Sequence, residues 1–266
     1  MKDIIYEEYE VLEINKKDDG YKLDPATKKV IIEISLKIIV NEAELVSLLC
    51  LNQHQEELAL GFLYSEGVIS CFADVKKISY NERMQAVIIT LKEGILVNRQ
   101  ESLRSITSGC GKCFTYINPL KQDQYAIVET DKLYSLEIIL NMMKDFMKES
   151  EIFRDVGGVH SVLFYTPEYQ VLNEDIGRHN CFDKITGILL KDRQIDVTAK
   201  SIVFVSGRIS SEIMTKIVRL GTPVLVSRST PTSAAVRLAK QYHVTLLGYV
   251  RGDRGFVYTC PERIAF

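Results

Sequence analysis

The 266-residue sequence lacks a long apolar run, a leader-like amino end and an excess of either charge. No apolar stretch approaches the roughly 18 residues that a membrane-spanning helix needs. The amino end, "MKDIIYEEYEVLEINKKDD", is too acidic and too interrupted for a signal peptide, so a cytoplasmic location without membrane attachment is expected. The formal net charge of −2 argues against a general nucleic-acid binder.

The small net charge conceals a difference between the two halves of the chain. Residues 1–150 carry 18 Lys and Arg against 24 Asp and Glu, which gives −6, whereas residues 151–266 carry 15 against 11, which gives +4. A mildly basic half favours a phosphorylated ligand. The alternative interpretation is that both halves simply present solvated faces.

The sequence has no second Cys-x-x-Cys beside the pair in "RSITSGCGKCFTY", which is Cys110 and Cys113. A four-ligand structural zinc site and an iron–sulfur cluster are therefore not expected. The six cysteines are spread through a chain large enough to fold without disulfides, so they are interpreted as reduced thiols. One zinc alternative stays open, since His54 and Glu56 upstream of the pair resemble the signature of zinc nucleobase deaminases. Gly109 stands where that signature has proline, which weakens the alternative.

The surroundings of the Cys pair favour sulfur exchange. A thioredoxin-like dithiol would lie at the start of a helix, but "FTYINPL" after Cys113 predicts no helix. Arg104 and Lys112 favour thiolates, and the neighbouring glycines remove bulk around the sulfur atoms. Such a pair suits a persulfide carrier, in which one thiolate holds the sulfur and the other resolves or protects it. Two inert loop cysteines are the alternative.

Hydrophobic periodicity predicts an α/β protein with two parts. Residues 1–130 contain strands at 30–40 and 85–92, a helix at 54–67, and an irregular stretch at 98–128 that is interpreted as a long mobile loop carrying the Cys pair. Residues 131–266 begin with an amphipathic helix capped by Ser135 and then alternate strands with helices, the pattern of crossover units on a mainly parallel sheet. Two strands around a glycine-containing turn end the chain.

Six motifs, in this order, resemble the FdhD family, the formate dehydrogenase accessory sulfurtransferases. They are "LALGFLYSEGVI", "TSGCGKC", "GGVHSVLF", "EDIGRHNCFDKITG", "VFVSGRISSEIMTKIVRLGTPVLVSRSTPTSAAVRLA" and "LLGYVRGDRGFVYT", and the resemblance runs from about Ile32 to the carboxyl end. The fold that it implies is a cytidine-deaminase-like mixed sheet with flanking helices, together with a smaller, mainly β N-terminal part.

The resemblance also implies a function. A family member takes sulfane sulfur from a cysteine desulfurase as a cysteine persulfide and passes it to the molybdenum or tungsten bis-guanine-dinucleotide cofactor, which an active formate dehydrogenase requires in sulfurated form. The cofactor is then a bound substrate, and GDP is expected to mimic part of it. The implied partners are the desulfurase, the apo formate dehydrogenase and a second copy of the chain, with no structural metal.

The matching motifs assign residues to this chemistry. Cys110 matches the persulfide cysteine of the family and Cys113 its partner. The segment "YVRGDR" matches the guanine-dinucleotide segment, where Arg251 and Arg254 would neutralise phosphates and Gly252 would let the backbone approach them. The candidate cofactor-binding residues are His160, Arg178, His179, Ser206, Gly207, Arg208, Tyr249, Val250, Arg251, Gly252, Asp253 and Arg254.

Further candidates carry weaker signals. The stretch "VSGRISSE" ends a strand and begins a helix, so its amides are candidates for binding an anion, although no Gly-x-Gly-x-x-Gly pattern is present. Ordinary core or surface histidines are the alternative for His160 and His179, and Asp175 and Asn180 are further hydrogen-bonding candidates. Cys181, where the family usually has alanine, is expected to be structural. A cofactor-binding module that moves no sulfur and a zinc deaminase are the competing functional classes.

Overall fold

A computed structural model describes residues 5–95, 97, 103–106, 114–117 and 125–266, with the backbone alone at 103–106 and 114–117. Its two main sheets have four and six strands. The strands are β1 (Tyr6–Lys17), β2 (Gly20–Ile31), β3 (Glu33–Val40), β4 (Ala43–Leu51), β5 (Val75–Asn81), β6 (Ala86–Leu91), β7 (Leu103–Ile106), β8 (Phe114–Ile117), β9 (Tyr134–Ser135), β10 (His160–Tyr165), β11 (Gln170–Asp175), β12 (Ile202–Val205), β13 (Val224–Ser227), β14 (Thr245–Arg251), β15 (Arg254–Thr259) and β16 (Ile264–Ala265). The helices are α1 (Gln55–Ser65), α2 (Leu136–Glu149), α3 (Glu151–Asp155), α4 (Arg178–Lys191), α5 (Ser211–Leu220) and α6 (Ser233–Gln241).

The four-stranded sheet belongs to the first half of the chain and has the order β4-β3-β6-β5. Strand β3 alternates exposed and buried residues, so the apolar side chains predicted to share one face do so: Ile34, Leu36, Ile38 and Val40. The strand predicted at 30–40 is nevertheless two strands, because residues 30 and 31 end β2. Helix α1 packs on the sheet and is followed by Gly67 at φ 75°, as predicted for its end.

The six-stranded sheet has the order β11-β10-β12-β13-β14-β15. Only β12, β13 and β14 are parallel to one another, because β10–β11 and β14–β15 are hairpins whose strands run antiparallel. Strand β10 is also antiparallel to β12. The mixed α/β class is therefore confirmed, whereas the expectation of a mainly parallel sheet is wrong for three of its five strand pairs.

Helices cover both faces of this sheet. One apolar core lies between the sheet and α4, α5 and α6, and a second lies between the sheet and α2. The predicted serine cap of α2 is present, since Ser135 Oγ accepts a hydrogen bond from Ile138 N at 3.4 Å. Strands β9 and β16 pair beside α2, which ties the carboxyl end to the start of that helix.

Helices α1 and α4 cross in direct backbone contact and join the two halves of the molecule. A Cβ added at Gly61 would lie 1.7 Å from the carbonyl oxygen of Asp183, and one added at Gly187 would lie 1.9 Å from that of Glu57. Only glycine permits this approach. At the same crossing, Ser65 Oγ donates to Asp183 Oδ1 at 2.7 Å.

Two expectations for the first half need comment. The stretch 98–128 is not an uninterrupted loop, because β7 and β8 pair antiparallel within it. The absence of a helix directly after Cys113 agrees with strand β8. Cys110 and Cys113 themselves, and the predicted mobility of their loop, lie outside the described residues. The division into parts 1–130 and 131–266 stays a prediction.

None of the helices in the described part of the chain is both long enough and apolar enough to cross a membrane.

Replacing Gly187 by alanine should lower the free energy of unfolding by about 3 kcal/mol or more, because the new Cβ would meet the backbone of α1. In an ordinary helix the same change raises stability by about 1 kcal/mol, so the sign of the effect tests the crossing. Urea unfolding measures it. Asn141→Ala, at an exposed position of α2, is the control and should be neutral or slightly stabilising. Equal stability of wild type and Gly187→Ala would contradict the close crossing.

Candidate functional site

The carboxyl ends of the three parallel strands form one edge of the six-stranded sheet, and the predicted cofactor-binding residues lie along it. Strand β10 starts at this edge with His160, because it runs antiparallel to β12. Hydrogen bonds link the loops along the edge. Ser227 Oγ donates to Gly207 O at 2.8 Å, and Tyr249 N donates to Ser229 O at 2.8 Å. The edge is the crevice where open α/β sheets usually bind ligands.

His160, Arg178 and Gly207 meet at one end of this edge. A Cβ at Gly207 would lie 3.1 Å from His160 Nδ1 and 3.8 Å from Arg178 Cδ, so a larger residue would push against both side chains. Burial lowers the pKa of His160, and the nearby Arg178 and His179 lower it further. The His160 imidazole is therefore neutral at neutral pH, with ring nitrogens that can donate and accept hydrogen bonds.

His179 forms a buried pair with Glu212, a residue of α5 that the sequence motifs did not single out. His179 Nε2 lies 3.0 Å from Glu212 Oε2. Burial lowers the pKa of His179, and the positive charges of Lys216 and Arg178 lower it further. The hydrogen bond to Glu212 acts in the opposite direction and raises it. Nε2 of His179 is thus engaged within the protein, which fixes the orientation of the ring.

The carboxylate of Asp175 holds the start of α4 in place. Asp175 is fully buried and accepts hydrogen bonds from Gly177 N at 3.0 Å and Asn180 Nδ2 at 2.8 Å through Oδ1. Its Oδ2 lies 2.6 Å from Lys184 Nζ and accepts from Leu51 N at 3.1 Å. Asp175 and Asn180 therefore have structural partners within the protein. Their hydrogen bonds fix the start of α4 and so position Arg178 and His179.

A second buried ion pair fixes α5 against α4. Lys216 Nζ lies 2.5 and 2.6 Å from the two carboxylate oxygens of Asp183. Both side chains are almost completely buried. The pair sets the position of the α5 amino end, where Ser210 caps the helix through a 3.4 Å hydrogen bond from Ile213 N.

The turn between β14 and β15 occupies the other end of the edge. Gly252 has φ 60° and Tyr249 φ 56°, and the pairing of β14 with β15 is irregular between Gly248 and Arg251. Arg251 Nε donates to Arg228 O at 3.2 Å, and its guanidinium lies 5.3 Å from the centre of the Tyr249 ring.

A half-open groove of about 720 Å³ lies between this turn and α2. Leu136 and Leu140 of α2 form one wall, and Tyr249 and Phe256 lie on the opposite side with their rings edge to face at 6.4 Å. The polar residues of its lining are arginines and an aspartate of the turn together with Tyr249. An apolar groove with a few charged groups at its rim suits a planar ring attached to phosphates.

The structure separates the predicted cofactor-binding residues into two neighbourhoods. One contains His160, Arg178, His179, Ser206 and Gly207, and the other contains Tyr249, Arg251, Gly252, Asp253 and Arg254. Val250 is completely buried in the core facing α2, so its side chain has a packing role. Arg208 is exposed beyond β12.

Sequence reasoning missed several residues of the edge because their partners come from distant segments. Lys144 of α2 pairs with Asp253 at 2.6 Å and lowers the pKa of that carboxyl. Arg228 follows β13 and accepts the Arg251 hydrogen bond through its carbonyl. The position of "SRST" directly after a buried strand was the available signal for Arg228. Nothing in the sequence near "YVRGDR" points to Lys144.

The residues of the zinc alternative have structural partners. Glu56 Oε2 lies 3.1 Å from Lys191 Nζ, and Oε1 accepts from Tyr80 N at 3.2 Å. His54 precedes α1 in a left-handed conformation, with Nδ1 3.7 Å from Glu57. Cys110 and Cys113 lie outside the described residues. Within the ranges that are described, no three His, Cys, Asp or Glu side chains gather in a group that could hold a metal ion.

Cys181 has the properties expected of a structural thiol. It is completely buried in α4, and its Sγ lies 3.3 Å from the carbonyl oxygen of His160. Burial raises its pKa well above the usual value.

Comparison with known proteins agrees with the motifs. A profile of the FdhD/NarQ family matches residues 31–265. The chain belongs to this family. The relatives of this FdhD/NarQ member include the sulfur carrier protein FdhD of Bacillus subtilis strain 168, 35% identical over 96% of this chain and 94% of that protein. The protein of the same name from Sulfolobus acidocaldarius is 34% identical over 95% and 97%.

A solved structure supports the fold. The crystal structure of a candidate formate dehydrogenase accessory protein from Desulfotalea psychrophila matches 98% of this FdhD/NarQ chain and 100% of its own, with a TM-score of 0.77 and 23% identity. At this identity the match shows the architecture and carries no residue roles.

Arg178→Gln should raise the pKa of His160, because Arg178 is a positive charge that disfavours the imidazolium beside it. An NMR titration of the imidazole signals measures the change. In the wild type the pKa values of both His160 and His179 should lie below 6.5, the usual value of a free imidazole. As the pH falls through this range, the unfolded chain binds protons before the folded protein does, so the free energy of unfolding decreases. Arg237→Gln, on the exposed side of α6, is the control. An unchanged His160 pKa in Arg178→Gln would contradict the cluster.

Proposed function

We propose that this protein is a sulfur carrier that accepts sulfane sulfur from a cysteine desulfurase as a persulfide on Cys110. It then transfers the sulfur to the molybdenum or tungsten bis-guanine-dinucleotide cofactor of a formate dehydrogenase. The observation that carries the proposal is family membership over residues 31–265. The relatives that match almost the whole chain, over almost their own full length, are named sulfur carrier proteins. The pair Cys110 and Cys113 supplies the thiols that such a role needs.

Loading and release can be written with balanced atoms and electrons. The Cys110 thiolate attacks the outer sulfur of the donor's persulfide, which forms Cys110–S–SH and returns the donor as a thiolate. The Cys113 thiolate then attacks the inner sulfur, forming a Cys110–Cys113 disulfide and releasing hydrosulfide. Two electrons pass from the two cysteines to the sulfane sulfur, which becomes the sulfide that the metal centre takes up. A cellular dithiol resets the disulfide.

The sheet edge is the proposed binding surface for the cofactor substrate. Arg251 and Arg254 supply positive charge for phosphates, and Gly252 leaves the turn backbone open. The groove beside Tyr249 and Phe256 offers apolar and aromatic surface for a guanine ring. The neutral imidazoles of the other neighbourhood supply hydrogen-bonding nitrogens farther along the edge.

The proposed partners follow from this cycle. A cysteine desulfurase is the sulfur donor, and an apo formate dehydrogenase is the protein whose cofactor is completed. A second copy of the chain is the third partner, and a cytoplasmic location is proposed because both the donor reaction and the thiols need reducing conditions. The competing function is a module that binds the cofactor without moving sulfur. Such a module would need the sheet edge but neither cysteine.

Incubation with a cysteine desulfurase and cysteine should add one sulfur atom to the peptide that contains Cys110, as measured by mass spectrometry. Cys110→Ala should remain unloaded. Cys113→Ala should load but release no sulfide when a metal acceptor is added, because the disulfide cannot form. Cys71→Ala, which removes an exposed cysteine elsewhere, is the control and should load like the wild type. Full loading of Cys110→Ala would refute the carrier mechanism and leave the binding module.

GDP should bind with saturation in calorimetry, and the double variant Arg251→Ala, Arg254→Ala should weaken it by more than about tenfold through loss of two phosphate contacts. Arg83→Ala combined with Arg237→Ala removes the same charge from exposed positions elsewhere and should bind GDP normally. Binding of ADP as tight as that of GDP would argue against a pocket that reads guanine.

A further inference from the structure

The ribbon of β1 and β2 is an arm with few contacts to the rest of the protein. The two strands pair over twelve residues each and form a sheet of their own. Apolar side chains on the outer half of the arm are left in solvent: Leu12 is 60% exposed, Ile14 70%, Tyr21 77% and Leu23 56%. An isolated two-stranded ribbon is marginally stable in water, and additional strands are what usually stabilise it.

The two outer edges of the arm differ in their capacity to pair. Pro25 lies in the middle of β2, opposite Leu12. Proline has no N–H to donate to β1, so its ring faces the outer edge of β2 and interrupts that edge. Strand β1 contains neither proline nor glycine along its twelve residues. Its outer edge is therefore an uninterrupted row of backbone donors and acceptors.

The same proline defines which residues of β1 face that edge. Because Pro25 has no N–H, the Leu12–Pro25 pair cannot be one that exchanges two hydrogen bonds, so we infer that the N–H and C=O of Leu12 point away from β2. With the alternation of a strand, the even-numbered residues of β1 share this orientation. An antiparallel partner strand can therefore pair only in registers that match even-numbered residues with one another.

The charges of β1 are self-complementary when the strand is reversed. Four glutamates lie in the first eight positions and two lysines lie at the end, in "YEEYEVLEINKK". Opposite a second β1 with Leu12 at the centre, Glu7 faces the partner's Lys17 and Glu8 faces the partner's Lys16. Moving the twofold centre by one residue to Val11 removes both ion pairs. Moving it to Glu13 leaves Glu10 opposite the partner's Lys16 but places the two Glu13 carboxylates opposite each other.

We propose that the outer edge of β1 pairs antiparallel with β1 of a second copy, around a twofold axis through Leu12. The result is a four-stranded sheet in the order β2-β1-β1-β2, with both ion pairs present twice and Leu12 opposite the partner's Leu12. A closed, isologous contact of this kind uses up both free β1 edges and stops at a dimer. It gives the second copy named under the proposed function a defined surface, and sulfur loading is a separate readout.

A charge-reversal cycle tests the pairing in solution. Within the arm, Glu7 lies directly opposite Val30 and Lys17 directly opposite Gly20, so reversing either charge places no like charge directly across the ribbon. The change at Glu7 also removes the exposed 2.8 Å hydrogen bond from Tyr9 Oη. Sedimentation equilibrium should show a dimer for the wild type, a dissociation constant raised about tenfold for Glu7→Lys or Lys17→Glu, and near wild-type dimerisation for the double variant. A monomeric wild type, or single variants that dimerise like the wild type, would overturn the proposal.

A cysteine placed on the twofold axis tests the register. Directly opposite residues in a hydrogen-bonded antiparallel pair have Cα atoms about 5.5 Å apart, within disulfide range. Under mild oxidation, Leu12→Cys should therefore form a disulfide that joins the substituted positions of two chains, identified by peptide mass. Leu23→Cys, equally exposed but on β2, is the matched control and should not link. Linking of Leu23→Cys in preference to Leu12→Cys would refute the β1 pairing. Both variants lie outside the cores and should unfold at the wild-type temperature.

Discussion

The carboxylate of Asp175 is the group on which the relative positions of the two sheets depend. It ends β11, accepts hydrogen bonds from the first turn of α4 and from the end of β4, and pairs with the buried Lys184. Removing one partner of such a buried pair leaves an uncompensated charge, which is far more costly than losing a surface ion pair. The geometry of the sheet edge thus depends on a buried carboxylate whose partners all lie within the protein.

Helix α4 transmits this constraint to the rest of the site. Twelve of its fourteen residues are buried, because α1 crosses it at glycines on one side and α5 pairs with it through Asp183 and Lys216 on another. Arg178 and His179 at its amino end therefore have little freedom to move. A site assembled on a helix held from several directions is preorganised for its ligand, which favours affinity by reducing the ordering cost of binding.

Much of the architecture could be predicted from local signals, and the remainder depends on contacts between distant segments. The alternation of β3 and the cap of α2 are local, so periodicity and the cap residue Ser135 predicted them. Helix α4 escaped prediction because its polar side chains face inward, which removes the amphipathic pattern that identifies surface helices. The antiparallel direction of β10 is not encoded in its own six residues. In the site, the motifs led to His160 and Gly207. Glu212 lies only five residues after Gly207, but its role depends on His179 of another helix. Lys144 acts from α2, far in the sequence from its partner Asp253.

The β1–β2 arm lies almost entirely before residue 31, where the match to the family profile begins. The residues of β1 and β2 belong to none of the three apolar cores. Two related chains with the same core but different charge order along β1 would each meet like charges when paired with the other. The proposed pairing would therefore join like chains in preference to unlike ones, because only like chains present matching charges at each position.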